Sequence, residues 1–201
     1  MIRDIIVGSP DFEYSDNIFD IATRHNLWDP NSGLPLDFLK TYAPPRAHSP
    51  YATRRVWRVF NIVAPSVVLP GNTDPYGDDY PFSIKVDRAI TPQELMNINR
   101  DHYEGTEFDL TQGIAAGPYG EPNRWDMAPQ PKDNLTFIDV LQGSYERAIS
   151  LFRTSYSFVA VSRENVPDVL SLLWFSQYAP SSSSYAPFYV SADKLPEAYT
   201  K

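Results

Sequence analysis

The chain has 201 residues, which is enough for one domain with a sizeable hydrophobic core. Hydrophobic residues make up 42% of it and aromatic residues 14%, which is typical of a globular protein and excludes a disordered chain. The net charge of -8 disfavours nucleic acid and anionic membrane surfaces as partners. The sequence has no cysteine, so this chain carries no disulfide, thiolate zinc site or catalytic thiol, and it has no apolar run of the length (about 18 residues) that a membrane span needs.

The first half of the chain alternates short apolar runs with connections that contain many of its 19 prolines. Apolar periodicity predicts helices at 15–25, 34–42 and 51–64, and strands at 4–7 and 82–86. A turn is expected at 28–33 and a loop at 66–81.

The clearest local signal is the run from Thr91 to Glu94. Threonine is a good N-cap, Pro92 suits the first helical position, and Glu94 at the third position can bond back to the cap. This pattern predicts a helix that runs to His102 or Tyr103.

In the second half, alternating residues predict strands at 146–152 and 155–162, as a hairpin about 153–154 or as one bent strand. A further strand is predicted at 186–190, while 135–142 and 166–175 fit either a helix or a strand. Helices and strands are mixed without regular βαβ alternation, so we predict an α+β fold. No boundary divides the chain, and residues 1–201 are expected to form a single domain.

Two kinds of catalytic site were weighed from residue types alone. The three histidines (His25, His48 and His102) lie in no recognisable nucleophile context, and the chain has no GxSxG motif. An oxygen-rich cluster that would suit Ca²⁺ or Mg²⁺ contains Asp101, His102, Glu104, Glu107 and Asp109. Its spacing matches no EF-hand and no HExxH motif, so a solvated helix end is the favoured interpretation and no metal site is predicted.

The segment 104–124, EGTEFDLTQGIAAGPYGEPNR, is the strongest candidate for a binding loop, because it is rich in glycine and polar residues. Backbone N–H groups at Gly117 and Gly120 could line a ligand on which Tyr119 stacks. Three arginines lie within or beyond the loop: Arg124, Arg147 and Arg153. The planar guanidinium suits a substrate carboxylate or an oxyanion, and structural ion pairs are the alternative.

The pattern YEGTxFDLTxGxAAGPxGxPxR, which begins at Tyr103, resembles that of the N-terminal-nucleophile (Ntn) cysteine dipeptidases, the family that includes the secernins. Further blocks resemble the family in the expected order: 28–30, 51–58, 147–150, 153–157, 167–168, 174–175 and 185–189. The resemblance therefore extends over nearly the whole chain.

The resemblance implies an αββα four-layer Ntn-hydrolase sandwich with two antiparallel sheets. It also implies release of amino acids from dipeptides or small peptides without a cofactor, by an N-terminal cysteine whose own α-amino group is the general base. By their positions in the family pattern, Arg147 and Asn17 are the candidates for oxyanion stabilisation and substrate positioning. Gly117, Tyr119, Gly120, Arg124 and Arg153 are the candidates for substrate binding. Helix capping is the alternative role for Asn17.

The chain departs from the family at the nucleophile. It begins Met1-Ile2 and has no cysteine, so we expect the nucleophile to lie outside it. We therefore expect the chain to be the central part of a longer dipeptidase-like domain, as a processed subunit, a truncated product or an incomplete segment. The expected partners are the N-terminal nucleophile segment, the C-terminal part and further copies in a homo-oligomer.

Two functions follow from these observations. The first is a segment of an Ntn cysteine dipeptidase that supplies substrate-pocket and oxyanion residues. The second is a catalytically inactive dipeptidase-like module with a structural or binding role in an assembly. The second would use aromatic residues that the sequence suggests are exposed near the serine run 181–184: Tyr178, Tyr185, Phe188 and Tyr189.

Overall fold

The computed structural model describes residues 4–5, 12–43, 52–71, 76–113, 116, 119–120 and 147–200. The segment 135–142 lies outside these residues. The described elements are β1 (Asp4–Ile5), α1 (Ile18–Arg24), β2 (Leu36–Asp37), α2 (Phe38–Tyr42), α3 (Thr53–Val63), α4 (Pro92–Asn99), β3 (Tyr156–Val161), β4 (Leu172–Gln177) and β5 (Ala186–Tyr189). Short 3-10 helices lie at Pro30–Ser32, Asp168–Leu170, Pro180–Ser182 and Glu197–Tyr199. The α+β class is confirmed.

The N-terminal elements share a small hydrophobic cluster. Ile18 and Ala22 of α1 are buried there with Leu36, as the helical spacing of the apolar residues predicted. The prediction of one helix at 34–42 is wrong at its start, because β2 pairs antiparallel with β1. Helix α2 begins only at Phe38, where the carboxylate of Asp37 caps it by accepting the N–H of Lys40 at 2.9 Å.

A second cluster joins α3 to α4. Val63 and Ala64 at the end of α3 are buried against Ile98 of α4, and Ile84 and Ile149 pack against them. The predicted strand at 82–86 is wrong, since these residues form irregular backbone. Of the alternating apolar residues there, Ile84 packs on this cluster, whereas Phe82 is 91% exposed and Val86 39% exposed.

The capping box of α4 is confirmed. The N–H of Glu94 donates to the hydroxyl of Thr91 at 3.3 Å, and the Glu94 carboxylate accepts the N–H of Thr91 at 2.8 Å. Arg88 also donates to this carboxylate. These bonds lower the pKa of Glu94 from 4.5 to about 2. The hydrogen bond from Arg88 has the largest effect, and the bonds from Thr91 have the next largest.

Helix α4 is shorter than predicted, because it ends at Asn99 and not at His102 or Tyr103. The N–H of Asp101 bonds to the carbonyl oxygen of Ile98 at 3.1 Å, so the last turn tightens. The carboxylate of Asp101 then accepts the N–H of Tyr103 at 2.8 Å. Aspartate side chains commonly compete with helical hydrogen bonds in this way.

Strands β3, β4 and β5 form an antiparallel sheet in sequence order. On one face Val159, Leu172 and Ser176 are buried, and α4 packs against β3. The opposite face, here called the aromatic sheet face, consists of Tyr156, Phe158, Phe175 and Phe188. Tyr156 and Phe158 are 58% and 53% exposed.

Two predictions around this sheet are wrong and two are confirmed. Residues 147–152 are irregular and form no strand, and β3 pairs with β4, so neither a hairpin about 153–154 nor one bent strand forms. The alternating burial at 147–150 comes from contacts with the turn after α4, where the N–H of Ser150 donates to the carbonyl oxygen of Asp101 at 3.0 Å. The strands predicted at 155–162 and 186–190 are present as β3 and β5.

We predict that the stabilising effect of Glu94 depends on pH. The pKa of Glu94 is lowered on folding, so its contribution is fully present above pH 4.5 and is lost as the pH falls through about 2. Glu94→Gln should therefore lower the free energy of unfolding above pH 4.5, and the difference from wild type should vanish near pH 2. Denaturant titrations at several pH values test this.

The control for this prediction is Glu164→Gln, at an exposed turn position. It should leave the free energy of unfolding nearly unchanged at every pH. A Glu94→Gln defect of equal size at both ends of the pH range would contradict the prediction.

Candidate functional site

The glycine-rich segment begins within a tight loop, residues 101–111. Hydrogen bonds from backbone N–H groups to carboxylates stabilise this loop. Asp109 accepts the N–H groups of Gly105 at 3.1 Å and Thr111 at 2.8 Å. Glu104 accepts the N–H of His102 at 2.6 Å. Partial burial acts to raise the pKa of Asp109, but the bonds from Thr111 and Gly105 and the charge of Arg58 together hold it below its ordinary value. These acids therefore serve first to fold the loop.

A buried ion pair fixes this loop to α3. The Nε of Arg58 donates to both carboxylate oxygens of Asp101 at 2.9 Å, and its Nη2 donates to Oδ2 at 2.6 Å. The same Nη2 donates to the carbonyl oxygen of Glu104 at 2.9 Å. The two side chains are only 11% and 9% exposed. Such a desolvated, multiply bonded pair fixes geometry more strongly than a surface pair does.

Tyr103 lies at the centre of the loop in a conformation that is rare for its residue type. It is fully buried, and its φ is 69°, in the left-handed region. This conformation costs about 1–2 kcal/mol for a residue with a side chain, and the bond from its N–H to Asp101 helps to hold it. Its hydroxyl donates to the carbonyl oxygen of Arg147 at 2.6 Å. The loop therefore contacts the segment that contains the predicted catalytic arginine.

The predicted substrate-binding residues are described in part. Tyr119 is 60% exposed, and Gly120 has a φ of 62°, which favours glycine. Arg153 is exposed, and its guanidinium lies 5.1 Å from the ring of Phe152. Gly117 and Arg124 lie outside the described residues.

Asn17 is described at the start of α1. It is exposed at the N-cap position of α1, next to the N-terminal cluster, and its side chain makes no capping hydrogen bond. Arg147 instead precedes Ile149, which packs on the cluster between α3 and α4. Because the side chain of Asn17 makes no capping bond, helix capping does not explain why an asparagine stands at this position.

The histidine of the acidic cluster is buried beside a carboxylate. The Nδ1 of His102 lies 3.3 Å from Oε1 of Glu104, and His102 is 4% exposed. In the part of the chain that the structure describes, no group of three or more histidine and acidic side chains is arranged to hold a metal ion. The hydrogen bonds of Asp101 and Asp109 explain why these acids lie together.

A cleft of about 440 Å³ between α4 and the sheet was not predicted. Its lining includes Met96, Arg100, Trp174 and Tyr185. The guanidinium of Arg100 lies 4.9 Å from the centre of the Tyr185 ring and donates to the carbonyl oxygens of Pro180 and Ser183. Because this cation is engaged by the protein itself, the cleft offers mainly apolar and aromatic contacts.

Sequence reasoning also missed the connection from Arg58 through Asp101 to Tyr103. The sequence analysis places Asp101 in a possible metal-binding cluster and assigns no role to Arg58. A charged side chain on the buried side of an amphipathic helix is the signal that indicates such a pair, because a buried cation requires a partner.

Comparison with known proteins identifies the class as a peptidase. A family model matches residues 5–201, almost the whole chain. The model is that of Peptidase family C69, and the chain belongs to this family.

Curated relatives have matching names. A "Probable dipeptidase" of Latilactobacillus sakei is 27% identical over 74% of this chain and 26% of the relative. A "Probable dipeptidase" of Salmonella dublin is 28% identical over 87% of this chain and 34% of the relative. A "Probable dipeptidase B" of Lactococcus lactis is 26% identical over 63% of this chain and 22% of the relative. The matched regions thus span about a quarter to a third of the lengths of these relatives.

None of the helices in the described ranges has the length and apolar character needed to cross a membrane.

We predict that breaking the pair between Arg58 and Asp101 is costly. Arg58→Gln or Asp101→Asn should lower the free energy of unfolding by about 3–5 kcal/mol, because each leaves a buried charge without its partner. The double variant should lose less than the sum of the two single variants. Equilibrium denaturation of the native protein measures all three.

The matched control is Arg24→Gln. Arg24 pairs with Asp20 on the exposed face of α1, where the side chains are 68% and 61% exposed. This variant should cost less than about 1 kcal/mol. An equal loss for Arg24→Gln and Arg58→Gln would refute the special role of the buried pair.

Proposed function

We propose that this chain is a segment of an Ntn-type cysteine dipeptidase that hydrolyses the amide bond of dipeptides. The observation that carries the proposal is membership of Peptidase family C69 over residues 5–201. The names of the three relatives support dipeptides as substrates. Because the 201 residues contain no cysteine, the proposal places the nucleophile on polypeptide outside this chain.

In the proposed reaction the α-amino group of an N-terminal cysteine accepts the proton of its own thiol, and the resulting thiolate attacks the amide carbonyl. The protonated amino group then gives this proton to the departing amine as the C–N bond breaks, and water hydrolyses the thioester that remains. The chain described here supplies positioning and charge stabilisation. Arg147 and Asn17 are the residues proposed for oxyanion stabilisation and substrate positioning, and the guanidinium of Arg147 suits the developing oxyanion or a substrate carboxylate. No metal or organic cofactor enters this reaction.

The substrate pocket is proposed to form around the glycine-rich segment. Gly117 and Gly120 present backbone N–H groups, and Tyr119 stacks on the substrate. Arg124 and Arg153 bind its carboxylate. The exposure of Tyr119 and the left-handed backbone of Gly120 support a ligand-facing loop.

We also propose that residues 1–201 are the central part of one larger domain, an αββα sandwich. The support is the aromatic sheet face, where Tyr156 and Phe158 leave more than half of their surface exposed. Neighbouring aromatic side chains that are exposed to this extent often mark an interface. A second antiparallel sheet from further polypeptide of the same dipeptidase would cover it, and the assembled protein is proposed to be a homo-oligomer.

The alternative is a catalytically inactive module that binds through exposed aromatics. Tyr178 and Tyr189 are exposed, at 59% and 45%. The expectation is wrong for Tyr185, which is half-buried and hydrogen-bonded to Asn99 and Ser157. It is also wrong for Phe188, which is half-buried against Tyr199. Packing thus accounts for half of this set, and the peptidase proposal is favoured.

Intact mass spectrometry of the native material, with sequencing of every N-terminus, tests the proposal directly. We expect polypeptide that begins with cysteine, either joined to this chain or co-purifying with it. We also expect hydrolysis of dipeptides that iodoacetamide abolishes and a metal chelator leaves unchanged. A lone chain of 22.8 kDa that begins at Met1, without thiol-dependent activity, would favour the inactive module.

A second expectation concerns residues 1–201 produced alone. Because the aromatic sheet face would lie uncovered, this polypeptide should aggregate in light-scattering experiments. Phe158→Ser should reduce the scattering. Val68→Ser, at a site that is 93% exposed but outside the sheet, should reduce it much less. A monodisperse monomer that unfolds cooperatively would contradict the covered-sheet proposal.

A further inference from the structure

We propose that Tyr103 is a positioning residue that fixes the backbone of Arg147 and thereby sets where its guanidinium can act. The inference rests on the function proposed for Arg147. The inference adds a residue that does not contact the substrate. Tyr103 acts through its hydrogen bond to the carbonyl oxygen of Arg147, and the ion pair between Arg58 and Asp101 holds Tyr103 in place.

The first observation is a double tether between the 101–111 loop and the segment of Arg147. The hydroxyl of Tyr103 donates to the carbonyl oxygen of Arg147 at 2.6 Å. Three residues further on, the N–H of Ser150 donates to the carbonyl oxygen of Asp101 at 3.0 Å. Residues 147–150 have no regular secondary structure of their own. These two bonds therefore hold the backbone at residues 147 and 150, within an irregular stretch.

The second observation is that the tyrosine itself is held in place. Its ring is fully buried, and its left-handed backbone is bonded to the carboxylate of Asp101. Arg58 holds that carboxylate through three hydrogen bonds. A residue retained in a strained conformation by surrounding structure is often part of a functional arrangement.

The tether determines how precisely the guanidinium of Arg147 is placed. The guanidinium lies at the end of a long, flexible side chain, so its placement depends on where the backbone of Arg147 lies. A displacement of about 1 Å at a reacting group can lower a rate about a hundredfold. Loss of the Tyr103 hydroxyl should therefore impair catalysis through Arg147 while the buried ring still fills its site.

The experiment is a double-mutant cycle in the native protein that contains this chain. Tyr103→Phe should lower kcat/KM for a dipeptide about tenfold, and Arg147→Gln should lower it at least as much. The backbone carbonyl of residue 147 remains in Arg147→Gln, so the bond from Tyr103 also remains. If Tyr103 acts through the guanidinium, adding Tyr103→Phe to Arg147→Gln should cause little further loss.

Tyr80→Phe is the matched control. The hydroxyl of Tyr80 also donates to a backbone carbonyl oxygen, that of Pro70 at 2.7 Å, but no role in binding or catalysis is proposed for either residue. Removing its hydroxyl should leave kcat/KM unchanged. Thermal unfolding of each variant, together with iodoacetamide titration of the reactive thiol, gives the folded and active fraction by which every rate is normalised.

The outcomes separate the two proposals. A Tyr103→Phe loss that is equally large in the Arg147→Gln background would show a general structural effect and overturn the inference alone. Normal kcat/KM in Tyr103→Phe with impaired Arg147→Gln would do the same. Normal kcat/KM in Arg147→Gln would overturn the role proposed for Arg147, and the inference would fall with it.

Discussion

The ion pair between Arg58 and Asp101 is the interaction on which the described centre of the molecule depends. It joins α3 to the turn that follows α4, two elements that are far apart in the sequence. Hydrophobic packing brings these helices together, but apolar contacts have no preferred direction. The bidentate arginine adds that direction and fixes the loop from which the Tyr103 hydroxyl reaches the backbone of Arg147.

This arrangement explains why the 101–111 loop contains several carboxylates. Asp101, Glu104 and Asp109 accept backbone N–H groups inside the loop, so irregular backbone is satisfied without a helix or a sheet. A loop fixed in this way can hold a substrate-binding group without rearranging when the substrate arrives. The proposal of a larger domain rests on the aromatic sheet face.

Features that depend on residues close together in the sequence were predicted well. The box of Thr91 and Glu94 lies within one turn of helix and needs no distant partner, so its start was predicted correctly. The end of α4 was not, because the N–H of Tyr103 bonds to the carboxylate of Asp101. The segments 82–86 and 147–152 were predicted as strands because an alternation of apolar and polar residues does not show whether a partner strand lies beside it.

The sequence by itself determined the α+β class, the start of α4 and the resemblance to cysteine dipeptidases, since these follow from local pattern and the order of motifs. The partner of Arg58, the left-handed backbone of Tyr103 and the tether to Arg147 were decided only by the tertiary structure. Each joins residues more than forty positions apart or depends on such a contact. No local pattern encodes a long-range pairing, because its energy exists only after the chain has folded around it.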